Sequence, residues 1–135
     1  MKIKDLTLPL KGQCHCGSVT YEINADIAGL RRCNCSICRR KGFVMGTALA
    51  KEIKIISGSE FLNTYKWNTN EAEHYFCKLC GTNTHHKRRS PPNEYGYNIG
   101  CIEGFDMEWI KDIPFVDNTK MSVVSTNKKN AAIEK

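Results

Sequence analysis

The sequence lacks long hydrophobic runs. None of its apolar stretches approaches the roughly 18 residues that a membrane-spanning helix needs. The first segment, MKIKDLTLPLKG, carries lysines but no apolar stretch of signal-peptide length, and Asp5 interrupts the little hydrophobic character there. These absences predict a soluble protein that spans no membrane and stays in the cytoplasm.

Helix patterns and glycine-rich loops are also scarce. Two short segments carry helix signals: SICRRK (36–41), with Ser36 near the N-cap and Gly42 after its end, and FDMEWIKD (105–112). The sequence contains no glycine loop of the kind that cradles phosphate groups and no internal repeat. Helices are therefore not expected to carry the architecture, and a P-loop nucleotide site is excluded.

Strand patterns are what the sequence has instead. Val19, Tyr21 and Ile23 alternate with polar residues, which is the period of a half-buried strand. Five later segments are short, rich in β-branched or aromatic residues, and bounded by Gly, Asn, Ser or Pro: 43–50, 53–56, 61–67, 72–77 and 94–101. This spacing predicts a mainly β domain built from antiparallel sheets.

The C-terminal segment differs in composition from the rest of the chain. From about Asp117 the sequence reads DNTKMSVVSTNKKNAAIEK, which is polar and aperiodic. A length of 135 residues fits one domain of common size. We therefore predict a single domain over residues 1–118 and a polar tail over residues 119–135.

Eight cysteines are a high number for a chain of this size. In a secreted protein they would suggest disulfides, but in a reducing compartment the same density indicates metal binding. They occur as Cys14-x-Cys16, Cys33-x-Cys35-x-x-Cys38, Cys77-x-x-Cys80 and a solitary Cys101. Two sulfurs on one tetrahedral zinc ion lie about 3.8 Å apart, which short tethers allow. Thiolate softness favours zinc, although spacing alone leaves iron and copper open.

Counting divides seven of these thiols into two groups. Neither remote pair can fill a tetrahedron alone, so we expect the two pairs to share one structural zinc; this quartet consists of Cys14, Cys16, Cys77 and Cys80. The remaining group, the triplet, is close enough in sequence to converge on a second zinc: Cys33, Cys35 and Cys38. Three thiolates leave the fourth position of that ion open, as in a catalytic or ligand-binding site.

The sequence also allows a closed second site. A fourth protein ligand could come from Cys101, His85, His86 or His15, and both zinc ions would then be structural. By default, however, a solitary cysteine such as Cys101 is a small core residue. Strand alternation sends His85 and His86 to opposite faces, so at most one approaches the ion, and we expect a surface position for either ring.

Positive charge is concentrated around the triplet, where Arg39 and Arg40 are candidate substrate-binding residues together with His86. The formal net charge of +6 falls to about +3 once thiolates and two zinc ions are counted, so nucleic-acid binding is not expected. A non-catalytic zinc module for a macromolecular partner is the alternative. A thioredoxin-like role for Cys77-x-x-Cys80 is disfavoured because βαβ order is lacking.

Four segments resemble a known family: QCHCGSVTYEI, CNCSICRRKG, FCKLCGT and NIGCIEG. They are similar to the glutathione-dependent formaldehyde-activating enzyme family, also called the centromere protein V/GFA domain, from about Leu10 to Asn118. The resemblance implies a β-tent, Mss4-like fold with two zinc sites. By analogy with the family, the quartet matches the structural site and the triplet matches the residues that hold the second zinc.

The activity that the resemblance implies is that of an S-(hydroxymethyl)glutathione synthase, a carbon-sulfur lyase. Such an enzyme joins formaldehyde to the thiol of glutathione. The expected partner is therefore a small thiol, with two zinc ions per chain as cofactors. No motif of the family marks residues that bind glutathione in this sequence, so Arg39, Arg40 and His86 remain predictions from charge and position.

Overall fold

The computed structural model describes residues 2–67, 72–88 and 93–117, and this part of the chain is mainly β. The strands, numbered in chain order, are β1 (Leu10–Gln13), β2 (Thr20–Ile23), β3 (Arg32–Cys33), β4 (Met45–Leu49), β5 (Ile53–Ser57), β6 (Leu62–Tyr65), β7 (Glu73–Cys77), β8 (Asn83–Lys87), β9 (Glu94–Asn98) and β10 (Phe115–Val116). The prediction of a mainly β fold is confirmed.

Two antiparallel sheets carry the architecture. The larger sheet has five strands in the order β4-β9-β8-β7-β6, and the smaller has three in the order β1-β2-β5. A short parallel pair, β10 with β3, lies apart from them. The larger sheet is tied to the segment before β3 by two backbone hydrogen bonds between Arg31 and Met45, of 3.0 and 2.9 Å.

One α-helix, α1 (Ser36–Lys41), lies in the described part of the chain. The cap residue is Cys35, one position before the expected Ser36, and its sulfur accepts a hydrogen bond from the Cys38 amide at 3.4 Å. Gly42 ends the helix in the left-handed conformation, with φ of 67°, as predicted. Five 3₁₀ turns are also described: Ile3–Asp5, Ala50–Glu52, Ser59–Phe61, Ile99–Cys101 and Met107–Ile110.

The core fills the space between the sheets. On β2, Tyr21 and Ile23 are fully buried while Thr20 and Glu22 are half-buried, which confirms the predicted alternation. Tyr97 and Ile99, also fully buried, belong to the same apolar cluster. Side chains of both sheets therefore share one core.

The sequence patterns did not predict some of the observed strands. β3 and β10 have two residues each, too few to show a periodic pattern. The predicted tail over residues 119–135 lies outside the described residues and stays a prediction. No helix in the described ranges is long and apolar enough to cross a membrane.

Candidate functional site

The quartet gathers at the junction of the two sheets. Cys14 follows β1 of the smaller sheet and Cys77 ends β7 of the larger one, and a turn after each strand supplies Cys16 and Cys80. The Cys14 and Cys16 sulfurs are 3.7 Å apart, and the Cys16 and Cys77 sulfurs 3.8 Å. All four sulfurs lie within 4.8 Å of one another. These separations match those expected for sulfurs on one tetrahedral ion.

The surroundings of the quartet act differently on its sulfurs: hydrogen bonds with Ser18 lower the pKa of Cys16, whereas burial raises the pKa of Cys77 to about 11. The Val19 amide donates to Cys14 at 3.3 Å, and the Leu79 amide donates to Cys77 at 3.4 Å. The hydrogen bond with Thr82 lowers the pKa of Cys80 to about 5. Because metal ligation requires thiolate, this donor set fits a soft divalent cation such as zinc.

The triplet gathers at the start of α1. Cys33 ends β3, Cys35 caps the helix and Cys38 lies in its first turn, and the three sulfurs are within 4.8 Å of one another. Cys35 and Cys38 are buried. The crowding raises the pKa of Cys38 far above that of a free thiol, first through its hydrogen bond to Cys33. A bound cation would remove the cost of ionising these sulfurs, so the donor set fits a metal ion.

Within the part of the chain that the structure describes, no fourth ligand atom lies within 4.8 Å of all three triplet sulfurs. Cys101 belongs to the buried core between the sheets, and its sulfur lies 3.5 Å from the carbonyl oxygen of Asn83. His15 is exposed on the turn of the quartet. The described residues therefore offer no side chain that closes the second site.

The expectation of surface histidines was wrong. His85 and His86 are 6% and 7% exposed, because β8 lies inside the five-stranded sheet with both faces covered. The His85 ring stacks on Tyr75, with centroids 4.5 Å apart, and burial lowers the pKa of His85 to about 4. The His86 ring stacks on His74 at 5.4 Å, and burial lowers its pKa as well.

His86 faces the side of the sheet on which the triplet lies. Its ring meets Phe43 edge-on at 6.2 Å, and Phe43 packs against the apolar cluster that contains Cys35 and Cys38. Its Nδ1 atom has no hydrogen-bond partner among the described residues. A side chain at Gly96 would overlap the imidazole, so this glycine allows the ring its place. His86 thus contacts the rings of His74 and Phe43 and is not part of the group of converging ligand atoms.

The cations near the triplet take different positions. Arg31 is half-buried and donates to Thr47 Oγ1 at 2.7 Å, and Arg32 donates to the carbonyl oxygen of Ile110 at 3.4 Å. Arg39 is exposed on α1. Arg40, also exposed, donates to the carbonyl oxygen of Ser36 at 2.8 Å. The two candidate arginines therefore differ, because Arg40 is held along the helix and lines a hollow.

This hollow, called the α1 hollow below, has a volume of about 320 Å³ and lies between α1 and strands β6, β7 and β8. It is lined by Ile37, Arg40, Lys41, Tyr65, His74, Phe76 and Asn83. Two of these residues, Lys41 and His74, are not among the substrate-binding residues predicted from the sequence. Their Nζ and Nδ1 atoms are 2.9 Å apart.

Comparison with known proteins agrees with the cysteine pattern and the fold. Residues 9–113 match the family described as glutathione-dependent formaldehyde-activating enzyme, and this range is most of the chain. The chain belongs to that family. The resemblance noted from the cysteine-containing segments is thereby confirmed.

Two relatives illustrate the match. A Halomonas elongata protein, provisionally named a glutathione-dependent formaldehyde-activating enzyme, is 28% identical over 82 residues, which cover 54% of this chain. The alignment spans only 52% of that relative, about half its length. A crystal structure of a Rhodobacter sphaeroides protein is 40% identical, with a TM-score of 0.74, and the match covers 78% of this chain and 99% of that one. These matches support the predicted fold.

Proposed function

We propose that the protein is a zinc-dependent carbon-sulfur lyase resembling S-(hydroxymethyl)glutathione synthase, which adds a small thiol such as glutathione to an aldehyde such as formaldehyde. The observation that carries the proposal is the triplet, in which three sulfurs converge and no fourth ligand is found among the described residues. Family membership supports the choice of thiol and aldehyde.

Two zinc ions per chain are part of the proposal. The quartet would hold the structural ion, because its four sulfurs complete a tetrahedron and join the two sheets. The triplet would hold the second, which, when bound, favours the thiolate form of a sulfur at its free position. Cys33, Cys35 and Cys38 fix that position through the backbone of β3 and α1.

Arg40 is the proposed binding residue for a carboxylate of the thiol substrate. The carbonyl oxygen of Ser36 orients its guanidinium along α1, and the α1 hollow beside it has room for a small ligand. A guanidinium recognises carboxylates through paired N–H donors. Arg39 was predicted to share this role, but it does not line the α1 hollow, so we assign the contact to Arg40. His86 acts indirectly, through its packing on His74.

A reducing compartment, the cytoplasm, is the proposed location. None of the eight cysteines, all of which lie in the described ranges, forms a disulfide, and the two groups would serve metal binding only if they stayed reduced.

X-ray absorption at the zinc edge tests the proposal. For the purified, reduced protein with two equivalents of zinc, we expect an average of about 3.5 sulfur ligands per ion, rising to about 4 when glutathione is added. S-methylglutathione, which has no free thiol, is the matched control and should leave the value unchanged.

A parallel assay follows S-(hydroxymethyl)glutathione formation by NMR exchange, with the spontaneous reaction as the reference. The proposal is wrong if the protein holds only one zinc ion or if glutathione leaves the sulfur count unchanged. It also fails if wild type adds nothing to the spontaneous rate.

A further inference from the structure

Lys41 ends α1 and points its amine into a partly apolar environment. The side chain is half-buried, and its Nζ atom lies 5.1 Å from the centre of the Phe43 ring. Its described polar contact is with His74, at 2.9 Å from Nζ to Nδ1. In the described part of the chain no carboxylate forms an ion pair with Lys41. A lysine in such a place carries its charge at a cost.

The groups around the amine do not return the pKa of Lys41 to that of an ordinary lysine. The charged or titratable side chains that surround it are Arg40, Cys35, Cys38, Tyr65, His74, His85 and His86. The two cysteines, when ionised, would favour the ammonium, but burial outweighs them and lowers the pKa of Lys41 to about 8. Near neutral pH a useful fraction of Lys41 is therefore the free amine, which is the nucleophilic form.

The ring of His74 is in hydrogen-bond contact with this amine and can relay its protons. The ring is 5% exposed, and burial first, with the charge of Lys41 second, lowers the pKa of His74 to about 3, so the imidazole is neutral. With the proton on Nε2, Nδ1 accepts a hydrogen bond from Nζ. The stacked ring of His86 holds His74 in this orientation.

The amine also lies where a small molecule can reach it. Lys41 lines the α1 hollow together with the aromatic residues Tyr65 and Phe76. A desolvated amine beside a base and an accessible hollow is the arrangement that forms Schiff bases with carbonyl compounds. We propose that Lys41 is a carbonyl-reactive amine that forms an imine with a small aldehyde in the α1 hollow.

The chemistry balances with the groups present. The Nζ lone pair forms a bond to the carbonyl carbon while the C=O π pair moves to oxygen, and one Nζ proton passes through His74 Nδ1 to that oxygen to give the neutral carbinolamine. The nitrogen lone pair then forms the C=N bond as the C–O bond breaks, and the remaining Nζ proton passes through His74 to the departing hydroxyl, which leaves as water. Water reverses the sequence and releases the aldehyde.

The inference rests on the proposed function only for the class of substrate, a small aldehyde. The amine chemistry itself requires no thiol, so this inference and the proposed function can fail separately. If Lys41 captures aldehyde in a protein that adds no glutathione, the proposed function is lost and this inference stands. If glutathione adds at full rate while Lys41 does not react, this inference alone is lost.

Competitive reductive labelling tests the inference. The zinc-loaded full chain is treated with limiting formaldehyde and cyanoborohydride at pH 7, without thiol, and methylated lysines are quantified by mass spectrometry after chymotrypsin digestion. We expect Lys41 to be labelled at least about tenfold faster than the exposed Lys51 and Lys54, because its neutral fraction is larger. Its rate should level off near pH 8, whereas theirs should continue to rise.

Two variants complete the test. Lys41→Arg removes the label at this position, and Lys51→Arg is the matched control that leaves the Lys41 rate unchanged. His74→Gln should slow labelling of Lys41 at least fivefold, since the amine then lacks its proton relay. Equal labelling rates for Lys41 and the exposed lysines in the wild-type protein, or a Lys41 rate that climbs beyond pH 9, would overturn the inference without reference to any variant.

Discussion

Gly58 lies directly against the backbone carbonyl of Ser18, so no side chain fits between them. A Cβ atom built on Gly58 would overlap the Ser18 oxygen and approach the Cα atom of Val19 to 2.9 Å. Gly58 also has φ of 85°, in the left-handed region. The glycine sets the distance between the end of β5 and the turn that carries part of the quartet.

Replacing Gly58 with alanine should therefore destabilise the fold strongly. We expect Gly58→Ala to lower the free energy of unfolding by about 3 kcal/mol, through backbone overlap and left-handed strain together. Gly42→Ala is the matched control, because Gly42 has φ of 67° but open space around it, and it should cost about 1 kcal/mol. Urea denaturation of both zinc-loaded proteins measures the difference. Equal losses would show that the Ser18 contact is unimportant.

Substitutions in the two cysteine groups should separate folding from activity. Cys77→Ser should abolish the structural site and unfold much of the protein, since zinc binding there contributes on the order of 10 kcal/mol to folding. Cys38→Ser should lower bound zinc from two equivalents to one and abolish catalysis. The circular dichroism spectrum of this variant should remain that of the folded protein. Metal analysis and thermal unfolding give the two readings. Loss of folding in Cys38→Ser would mean that the triplet is structural as well.

The two neighbouring arginines of α1 form a matched pair for substrate binding. Arg40→Gln should weaken the affinity for glutathione about tenfold, because a charge-assisted contact with a carboxylate contributes about 1.5 kcal/mol. Arg39→Gln should change the affinity less than twofold, because Arg39 does not line the α1 hollow. Titration calorimetry with glutathione and with its diethyl ester measures both. Equal effects of the two substitutions would remove Arg40 from the site.

The buried His85 should make the fold sensitive to acid. Burial lowers its pKa to about 4, so below the ordinary value of about 6.5 the unfolded chain binds a proton that the folded protein does not. The stability contributed by neutral His85 is complete above pH 6.5 and is lost as pH falls towards 4. Between pH 7 and 5 the wild-type protein should lose about 2 kcal/mol more than His85→Phe.

Urea denaturation at each pH measures this difference, with zinc content checked so that only equally loaded samples are compared. The phenyl ring keeps the stacking with Tyr75 but cannot titrate. The substitution also removes the hydrogen bond between His85 and Thr84, which lowers stability at every pH and leaves the slope unaffected. Identical slopes for the two proteins would contradict the assignment of the missing proton to His85.

Local patterns accounted for most of the strands and for the grouping of the thiols. The alternation around Tyr21 predicted β2, since one face of that strand is buried and the other is not. Short tethers predicted which sulfurs meet within each pair and within the triplet, because spacing of a few residues limits where two side chains can go. Both kinds of information lie within a few neighbouring residues.

Long-range packing was beyond the reach of these patterns. His74 meets Lys41 only because α1 packs beside β7, and the two residues are 33 positions apart. The burial of His85 and His86 depends on the place of β8 within its sheet, which its own sequence does not state. A histidine side chain can be buried in its neutral form or exposed in its charged form. Its presence in a strand therefore does not indicate whether that position is buried.

The quartet combines cysteines from both sheets, and this has a consequence for synthesis on the ribosome. Cys16 and Cys77 are 61 positions apart, so at typical translation rates the first thiol pair precedes its partners by roughly 3 to 12 s. During that interval the nascent chain contains Cys14 and Cys16, which supply only two of the four ligands of the structural site. The structural site can therefore form only after Cys77 and Cys80 have been synthesised, and until then the first two thiols lack half of their partners.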